Sequence, residues 1–422
     1  EAVDALPGDS ARAVRDPSWL IEHADEYDRV VYQFGNSTFH SYMFDLLAQV
    51  PGIVVLHDFF LSGVLAHREY ASGNTNCWSE AIQASHGYAA IADRCHEVDP
   101  AETVWRYPCN LQVLQDAIGV IVHSPNSRRM AETWYGPGSG DDWSCLPLVR
   151  PVVEDGAERR AEARQQLNLP EKAIVVCSFG FLGATKLNRR VLDAWLQANL
   201  AHDRSTYLIF VGENDPGQYG QDLARKIKES GQSEFIRITG WLDKEGYTRH
   251  LQAADIGVQL RTRSRGETSA AVLDCMSHGL ATLVNANGSM ADLPTDCVYQ
   301  LADNFSDSDL SEALENLVQD SVLRDQLGSR ASALVLRDHS PASCARQYAD
   351  AIEHSYRQAP AVLNDIVKGL RQRNHSEDVG EEGLCHLAAG LDASFVRPMH
   401  QRQVLVDITE MINATPEDCL GL

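Results

Sequence analysis

The feature that most constrains the fold is a series of short apolar runs, each ending in polar residues or glycine. Side chains within a run are apolar at nearly every position, which is typical of parallel strands buried on both faces. Segments with helical spacing separate the runs, so we predict an α/β protein with helices on both faces of its sheets. The predicted strands, with their turns, are Arg29–Asn36, Ile53–Asp58, Gly119–Ser124, Ala173–Gly180, Tyr207–Asn214, Phe235–Leu242, Ile256–Leu260 and Ala281–Ser289.

Length and composition indicate a globular protein of two domains. The chain has 422 residues, enough for two α/β cores, and its net charge of -23 disfavours a nucleic-acid partner. It has no apolar run of eighteen residues, so we expect no transmembrane helix. The ten cysteines lack paired C-x-x-C spacing, which favours reduced thiols and a cytoplasmic location over disulfides or zinc.

One segment combines a strand, a polar loop and a helix. Ile256–Leu260 leads into three arginines, and apolar residues return at helical spacing after Ser269 and continue to Gly279. The backbone N–H groups of Glu267, Thr268 and Ser269 would lie at the helix N-terminus, where unpaired donors and the helix dipole favour a phosphate. An ordinary strand-to-helix turn with a solvated Arg/Glu loop remains the alternative interpretation.

The second half of this segment, Leu273–Gly279, has the sequence L-D-C-M-S-H-G. It resembles the donor-binding segment of retaining GT-B glycosyltransferases of family 4, E-G-F-G-L-P-x-L-E-A-M-A-x-G. Asp274 stands at the second Glu of that pattern, whereas Gly266 stands at the first and Glu267 follows one residue late. The resemblance implies two Rossmann-like, doubly wound domains that face each other across a cleft. It also implies transfer of a hexose from a nucleotide diphosphate sugar to a glycan, with retention of anomeric configuration.

The donor domain resembles the same family after its first strand. Family members have G-R-L-x-x-x-K-G there, with Arg and Lys on the diphosphate; this chain has Lys186 at the Lys and Phe181 at the Arg. We expect an arginine before Gly266, namely Arg261, Arg263 or Arg265, to supply the missing charge. The resemblance further implies that Trp241 and Leu242 line the site of the nucleotide base and that Asp274 accepts hydrogen bonds from the ribose. For Trp241, packing in the core is an equal alternative. The predicted donor-binding residues are Gly180, Gly183, Lys186, Gly212, Trp241, Leu242, Arg265, Glu267, Thr268, Ser269 and Asp274.

The first domain carries polar residues at the carboxyl ends of its strands, where open α/β sheets bind ligands. The resemblance implies that His57 orients the transferred sugar, and it adds Asn36, His40, Asp58 and Ser124 on the acceptor side. His57, Lys186 and Glu267 form the predicted catalytic set. Residues 69–112 are predicted to form helices and a loop whose aromatic residues either border the acceptor site or pack as core: Tyr70, Trp78, Tyr88, Trp105 and Tyr107.

The domain prediction places an acceptor-side domain at 1–150, incomplete at its N-terminus, and a donor-binding domain at 151–340. A closing helix at 341–358 returns to the first domain, and 359–422 form a linker and the start of a further module. The strand predicted within that segment, Gln403–Thr409, either opens a second transferase module or packs on this protein.

The resemblance also guides the choice of ligands. No D-x-D motif with strand context occurs, so no metal and no cofactor are expected. Similarity to surface-polysaccharide enzymes favours GDP-mannose or a dTDP- or GDP-deoxyhexose as donor, and a glycan or lipid-linked glycan as acceptor. An adjacent transferase module or an assembly partner at the inner face of the cytoplasmic membrane is also expected. The alternatives are a degenerate GT-B module that binds glycan or scaffolds a larger synthase, and a nucleotide-sugar epimerase.

Overall fold

A computed structural model describes residues 15–72, 76–97, 99–153, 157–198, 200, 205–373 and 404–406. These residues fall into two compact units, each built on a parallel β-sheet. The first unit takes its described residues from within Glu1–Val122, Ala131–Leu146 and Arg346–Ala414. The second takes them from within His123–Met130 and Pro147–Ala345.

The described strands form two sheets, and every strand pairing in them is parallel. In chain order they are β1 (Arg29–Phe34), β2 (Ile53–Leu56), β3 (Gly119–Val122), β4 (Ser144–Cys145), β5 (Ile174–Phe179), β6 (Thr206–Val211), β7 (Ile236–Ile238), β8 (Ile256–Gln259), β9 (Ala281–Asn285), β10 (Tyr299–Leu301) and β11 (Val404–Val406). The first sheet has the order β11-β1-β2-β3-β4, and the second has the order β10-β9-β8-β5-β6-β7. The central strands are buried along their length, which explains their continuous apolar sequences.

Helices connect the parallel strands and cover the sheets, as crossover connections require. The described helices are α1 (Pro17–Glu22), α2 (Met43–Gln49), α3 (Ser62–Ser72), α4 (Cys77–His96), α5 (Pro100–Arg106), α6 (Leu111–Asp116), α7 (Pro125–Tyr135), α8 (Ala157–Gln166), α9 (Asn188–Gln197), α10 (Gln218–Glu229), α11 (Lys244–Ala253), α12 (Ala270–Ser277), α13 (Asp307–Gln319), α14 (Ser321–Asp338) and α15 (Pro341–Arg373). No helix in these described ranges combines the length and low charge that a bilayer crossing needs.

Helix α15 completes the core of the first unit. Its apolar residues Ile352 and Tyr356 pack in one cluster with strand residues such as Val31 and Ile53. The Tyr356 hydroxyl accepts a hydrogen bond from the backbone N–H of Val30 at 3.0 Å. Arg29 holds the carboxylate of Glu353 with two nitrogens at 2.9 and 3.0 Å. The first sheet therefore depends on a helix more than 300 residues away in sequence.

The second unit has a core on each face of its sheet. Alternate residues of β5 enter opposite clusters, Val175 and Cys177 on one face and Val176 on the other, because successive strand side chains point to opposite faces. Helix α8 is fixed to this sheet by the buried Arg164. That guanidinium donates to the carbonyl oxygens of Ala253 and Ala173 and to the carboxylate of Asp255.

The structure departs from the domain prediction at its boundaries. The chain leaves the first unit at Leu146, slightly before the expected residue 150, and residues 123–130 group with the second unit. Beyond residue 358 the backbone continues in α15 to Arg373 rather than as a linker. Strand β11 pairs with β1 in the first sheet, which matches the second of the two arrangements considered and not the opening strand of a further module. The rest of the segment 374–422 lies outside the described residues.

Two short strands and two aromatic side chains also differ from the predictions. Strands β4 and β10 have only two and three residues, too few for an apolar pattern to reveal them. Trp78 is buried, in agreement with core packing, but Tyr70 and Tyr88 are 65% and 80% exposed, so core packing is wrong for these two.

Candidate functional site

The site in the second unit begins where β5 ends and the chain turns over the edge of the sheet. Gly180 has a φ of +99°, and a Cβ built there would lie 2.5 Å from the amine nitrogen of Lys186. The positive φ favours glycine, because an L side chain would be strained in this conformation, and the amine of Lys186 would also have to move. The buried Asn188 stabilises the loop by accepting a hydrogen bond from the N–H of Gly183 at 3.0 Å.

Lys186 lies beside a second cation, Arg261, at the end of β8. Strands β5 and β8 are neighbours in the sheet, so the residues that follow them meet at one edge. The N–H of Thr262 donates to the carbonyl of Thr185 at 3.0 Å and joins the two loops. Burial, reinforced by the charge of Arg261 and opposed by Glu267, lowers the pKa of Lys186 to about 7. Burial likewise lowers the pKa of Arg261, again opposed by Glu267.

The loop between β8 and α12 folds around the carboxylate of Glu267. That carboxylate accepts hydrogen bonds from the backbone N–H of Arg265 at 2.6 Å and from the hydroxyl of Ser264 at 3.2 Å. Two further hydroxyls, from Ser127 and Ser289, donate to the carbonyl oxygens of Gly266 and Glu267 at 3.0 and 2.7 Å. The loop is therefore held in one conformation from several sides.

Helix α12 begins directly after this loop. Ser269 is its N-cap, and its hydroxyl accepts a hydrogen bond from the N–H of Val272 at 3.4 Å. The hydroxyl of Thr268 is buried and has no hydrogen-bond partner among the described residues. A buried hydroxyl without a partner at a helix N-terminus suits a phosphate oxygen as a hydrogen-bond donor.

Asp274 lies within α12 and has two side-chain partners that the sequence did not indicate. Its carboxylate accepts a hydrogen bond from the Tyr247 hydroxyl at 3.2 Å and pairs with Arg150 at 3.3 Å. Burial raises the pKa of Asp274, while Arg150 and Tyr247 oppose that rise. Arg150 stands at the predicted boundary between the two domains, where the sequence gives no sign of such a contact.

The turns after β6 and β7 bring the other predicted donor residues to the same sheet edge. A Cβ at Gly212 would collide with the carbonyl oxygen of Gly180, so glycine permits the close approach of these two turns. The backbone N–H of Trp241 donates to the carboxylate of Glu213 at 2.8 Å. The Trp241 indole is 42% exposed, so the core interpretation is wrong for this residue, while Leu242 packs partly on the core.

The first unit holds a separate polar group where β1 and β2 end. The ring of His57 forms a hydrogen bond of 2.7 Å with the side-chain oxygen of Gln33. The carboxylate of Asp58 accepts from the N–H of Asn36 at 2.8 Å, and His40 is buried nearby, close to Gly35. These four predicted acceptor-side residues belong to one unit.

Ser124 groups instead with the second unit, apart from the other predicted acceptor-side residues. The first turns of α7 explain this, because Asn126 and Arg129 both bind the carboxylate of Asp292. Over the described ranges, no cluster of three or more histidine, cysteine, aspartate or glutamate side chains is arranged to hold a metal ion.

Two parallel sheets of Rossmann type, with a cationic turn and a helix N-terminus at one sheet edge, define the fold class as GT-B. Residues 159–333, which make up most of the second unit, match the family model described as glycosyl transferases group 1. No curated protein sequence matches the chain at a significant level.

Solved structures show the same fold over most of the chain. HepE from Anabaena, in complex with UDP and glucose, is 14% identical with a TM-score of 0.54, and the match covers 78% of this chain and 100% of HepE. Sucrose-phosphate synthase from Thermosynechococcus elongatus is 18% identical with a TM-score of 0.53, covering 85% of this chain and 83% of the synthase. WaaG, a glycosyltransferase involved in lipopolysaccharide biosynthesis, is 14% identical with a TM-score of 0.51, covering 76% of this chain and 98% of WaaG.

Proposed function

We propose that this chain is a glycosyltransferase that moves a hexose from a nucleotide diphosphate sugar to a glycan or lipid-linked glycan. The observation that carries the proposal is the pair of partly buried cations, Lys186 and Arg261, in the turns that follow β5 and β8, near Glu267 in the loop before α12. Two partly buried cations near the one carboxylate of Glu267 leave an excess of positive charge, and a diphosphate would neutralise it. The match to the glycosyl transferases group 1 model and the GT-B fold support the same class of reaction.

In this mechanism the protein stabilises the leaving diphosphate. Family members have an arginine where this chain has Phe181, and Arg261 supplies that positive charge instead. Lys186 supplies the second positive charge. The Thr268 hydroxyl and the first N–H groups of α12 supply further hydrogen-bond donors to the phosphates. Their arrangement is fixed before the donor binds, so little reorganisation is needed as the sugar–phosphate bond breaks.

The remaining roles follow the family resemblance. His57 orients a hydroxyl of the transferred sugar, Glu267 lies near the sugar and Asp274 accepts from the ribose. We propose retention of configuration without a protein nucleophile or a bound metal ion, with the leaving phosphate as the base on the same face. The proposed setting is the synthesis of a cell-surface polysaccharide at the inner face of the cytoplasmic membrane.

The donor set for testing comes from two sources. The resemblance favours GDP-mannose and dTDP-rhamnose, and HepE, which shares the fold, has been crystallised with UDP-glucose. We would titrate each of the three into the protein by calorimetry, with and without EDTA. One of them should bind saturably, unaffected by EDTA, and should bind far more weakly to Lys186→Met and to Arg261→Met.

The control carries the same substitution at an exposed lysine on the same unit, Lys228→Met, and should bind like the wild type. Failure of all three donors at millimolar concentration would contradict the proposed donor site. Binding without sugar transfer to any glycan acceptor would favour the degenerate, glycan-binding module. Conversion of the donor to an epimer would favour an epimerase.

A further inference from the structure

The backbone of Arg261 is held by a side chain from the neighbouring strand. Asn285, the last residue of β9, has 0% of its surface exposed. Its amide oxygen accepts from the N–H of Arg261 at 2.8 Å, and its amide nitrogen donates to the carbonyl of Arg261 at 2.8 Å. Both backbone groups of one residue are thus bound by one amide.

The amide of Asn285 is itself held in place from outside. Its nitrogen also donates to the carboxylate of Asp303 at 2.8 Å. That carboxylate accepts from the amide of Asn287 as well, at 3.0 and 3.3 Å, and Asp303 is exposed. The contacts run from a surface carboxylate through a buried amide to the backbone of a partly buried cation, Arg261.

Among common side chains an amide suits this position best. Asparagine offers one acceptor and two donor hydrogens, and all of these groups are used by Arg261 and Asp303. Alanine would leave both backbone groups of Arg261 without this partner, and a carboxylate would repel Asp303 and the Arg261 carbonyl. Asn285 therefore fixes the backbone at Arg261, where the chain leaves β8 and enters the loop of the site.

We infer that Asn285 is a positioning residue for donor binding, which holds Arg261 beside Lys186 and fixes the spacing of the two cations that bind the diphosphate. The inference rests on the proposed function. The geometry that carries it is the double hydrogen bond from a fully buried amide, together with the Thr262–Thr185 contact that joins the two cationic loops.

A positioning role for Asn285 should change how donor binding depends on pH, which a purely structural role would not. Lys186 is faced by Arg261 after β8 and by Glu267 in the loop before α12. Burial, and after it the charge of Arg261, lowers the pKa of Lys186, and Glu267 opposes this. If Arg261 moves away, its share of the lowering is lost and the pKa of Lys186 rises, while the effect of burial remains. Donor binding should then become both weaker and less sensitive to pH.

The test measures the dissociation constant between about pH 6 and pH 9, with whichever of UDP-glucose, GDP-mannose and dTDP-rhamnose the wild type binds. We expect Asn285→Ala to weaken binding at pH 6 by about tenfold, the scale of losing a buried hydrogen bond to a functional group. We also expect a smaller pH 9 to pH 6 ratio than in the wild type. Asp303→Ala, a change at an exposed residue that spares the core, should shift both quantities in the same direction by less.

Asn287→Ala is the matched control, because Asn287 also binds Asp303 but does not contact Arg261. It should keep the wild-type pH ratio, and circular dichroism should show each variant folded. Folded Asn285→Ala and Asp303→Ala proteins with the wild-type affinity and pH ratio would overturn the inference. So would an Asn285→Ala protein whose dissociation constant rises by the same factor at every pH. Absence of binding to the wild type would instead contradict the proposed function.

Discussion

Donor binding should depend on pH through a single lysine. In the free protein, burial and the neighbouring Arg261 lower the pKa of Lys186 to about 7, so about half of the molecules lack this charge at neutral pH. A bound diphosphate favours the charged amine and moves the pKa back toward its ordinary value of 10.5. The protonated form is the one that binds, so affinity is highest below the free-protein pKa and falls as pH rises above it.

The size of the effect follows from linkage between the two pKa values. With about 7 in the free protein and 10.5 in the complex, the dissociation constant rises about 90-fold between pH 6 and pH 9. The same values require an uptake of about 0.9 proton per bound donor at pH 8. A lysine with an ordinary pKa in both states would give almost no change over this range.

Calorimetry tests both quantities. Nucleotide sugars are suitable ligands because their diphosphate diester has no ionisation in this range, unlike the terminal phosphate of UDP or GDP. Titrations at pH 8 in buffers of different ionisation enthalpy give the proton uptake directly. Lys186→Arg places a permanent charge at the position and should bind with one affinity from pH 6 to pH 9.

A flat pH profile for the wild type, with saturable binding and no proton uptake, would contradict this prediction. It would mean that Lys186 is fully charged before the donor arrives, so neither burial nor Arg261 affects it as the structure indicates. Lys228→Met, a change at an exposed lysine, should reproduce the wild-type pH profile. It is the control for the loss of a lysine elsewhere on the same unit.

Three further predictions concern single residues. Gly180→Ala should abolish donor binding and lower the free energy of unfolding by about 1–2 kcal/mol, because φ is +99° there and the Cβ meets Lys186; calorimetry and urea denaturation measure the two effects. Trp241→Ala should weaken nucleotide binding but change the free energy of unfolding by less than about 0.5 kcal/mol, because the indole is exposed; a loss of stability without loss of affinity would contradict this. Asp255→Asn should destabilise the second unit by about 3–5 kcal/mol in urea, because it leaves the buried Arg164 without its charge partner, and an unchanged transition midpoint would show that the pair contributes nothing.

The strands of both units could be predicted from sequence because burial on both faces leaves a continuous apolar run. The observed strands Ile53–Leu56 and Gly119–Val122 begin at the predicted residues and end before the polar turns of the predicted segments. Helix limits were less accurate: α15 continues to Arg373, through residues 359–373, for which the sequence predicts a linker. Strand β11 could be recognised as a strand, but its partner could not, because pairing depends on tertiary structure.

The cation pair shows why the site was only partly predictable. The family pattern located Lys186, and composition suggested three arginines as the second cation without distinguishing them. The choice of Arg261 depends on β5 and β8 being neighbours, although they lie about 80 residues apart, and strand order cannot be read from local sequence. Asn285 carries no motif at all, because its role lies in two hydrogen bonds to the backbone of another strand.

Because α15 returns to the first sheet, the two units need not fold in the order in which they are synthesised. A ribosome makes β1, β2 and β3 early, yet the residues that cover them, Ile352 and Tyr356, follow only after the whole second unit. At translation rates of about 5–20 residues per second, the intervening 200 or so residues take roughly 10–40 s. During that interval Val31, Ile53 and Val55 lack their native cover, so the nascent first unit is the stage at which a chaperone would be needed. The later-made unit, almost continuous in sequence, can reach its native structure first.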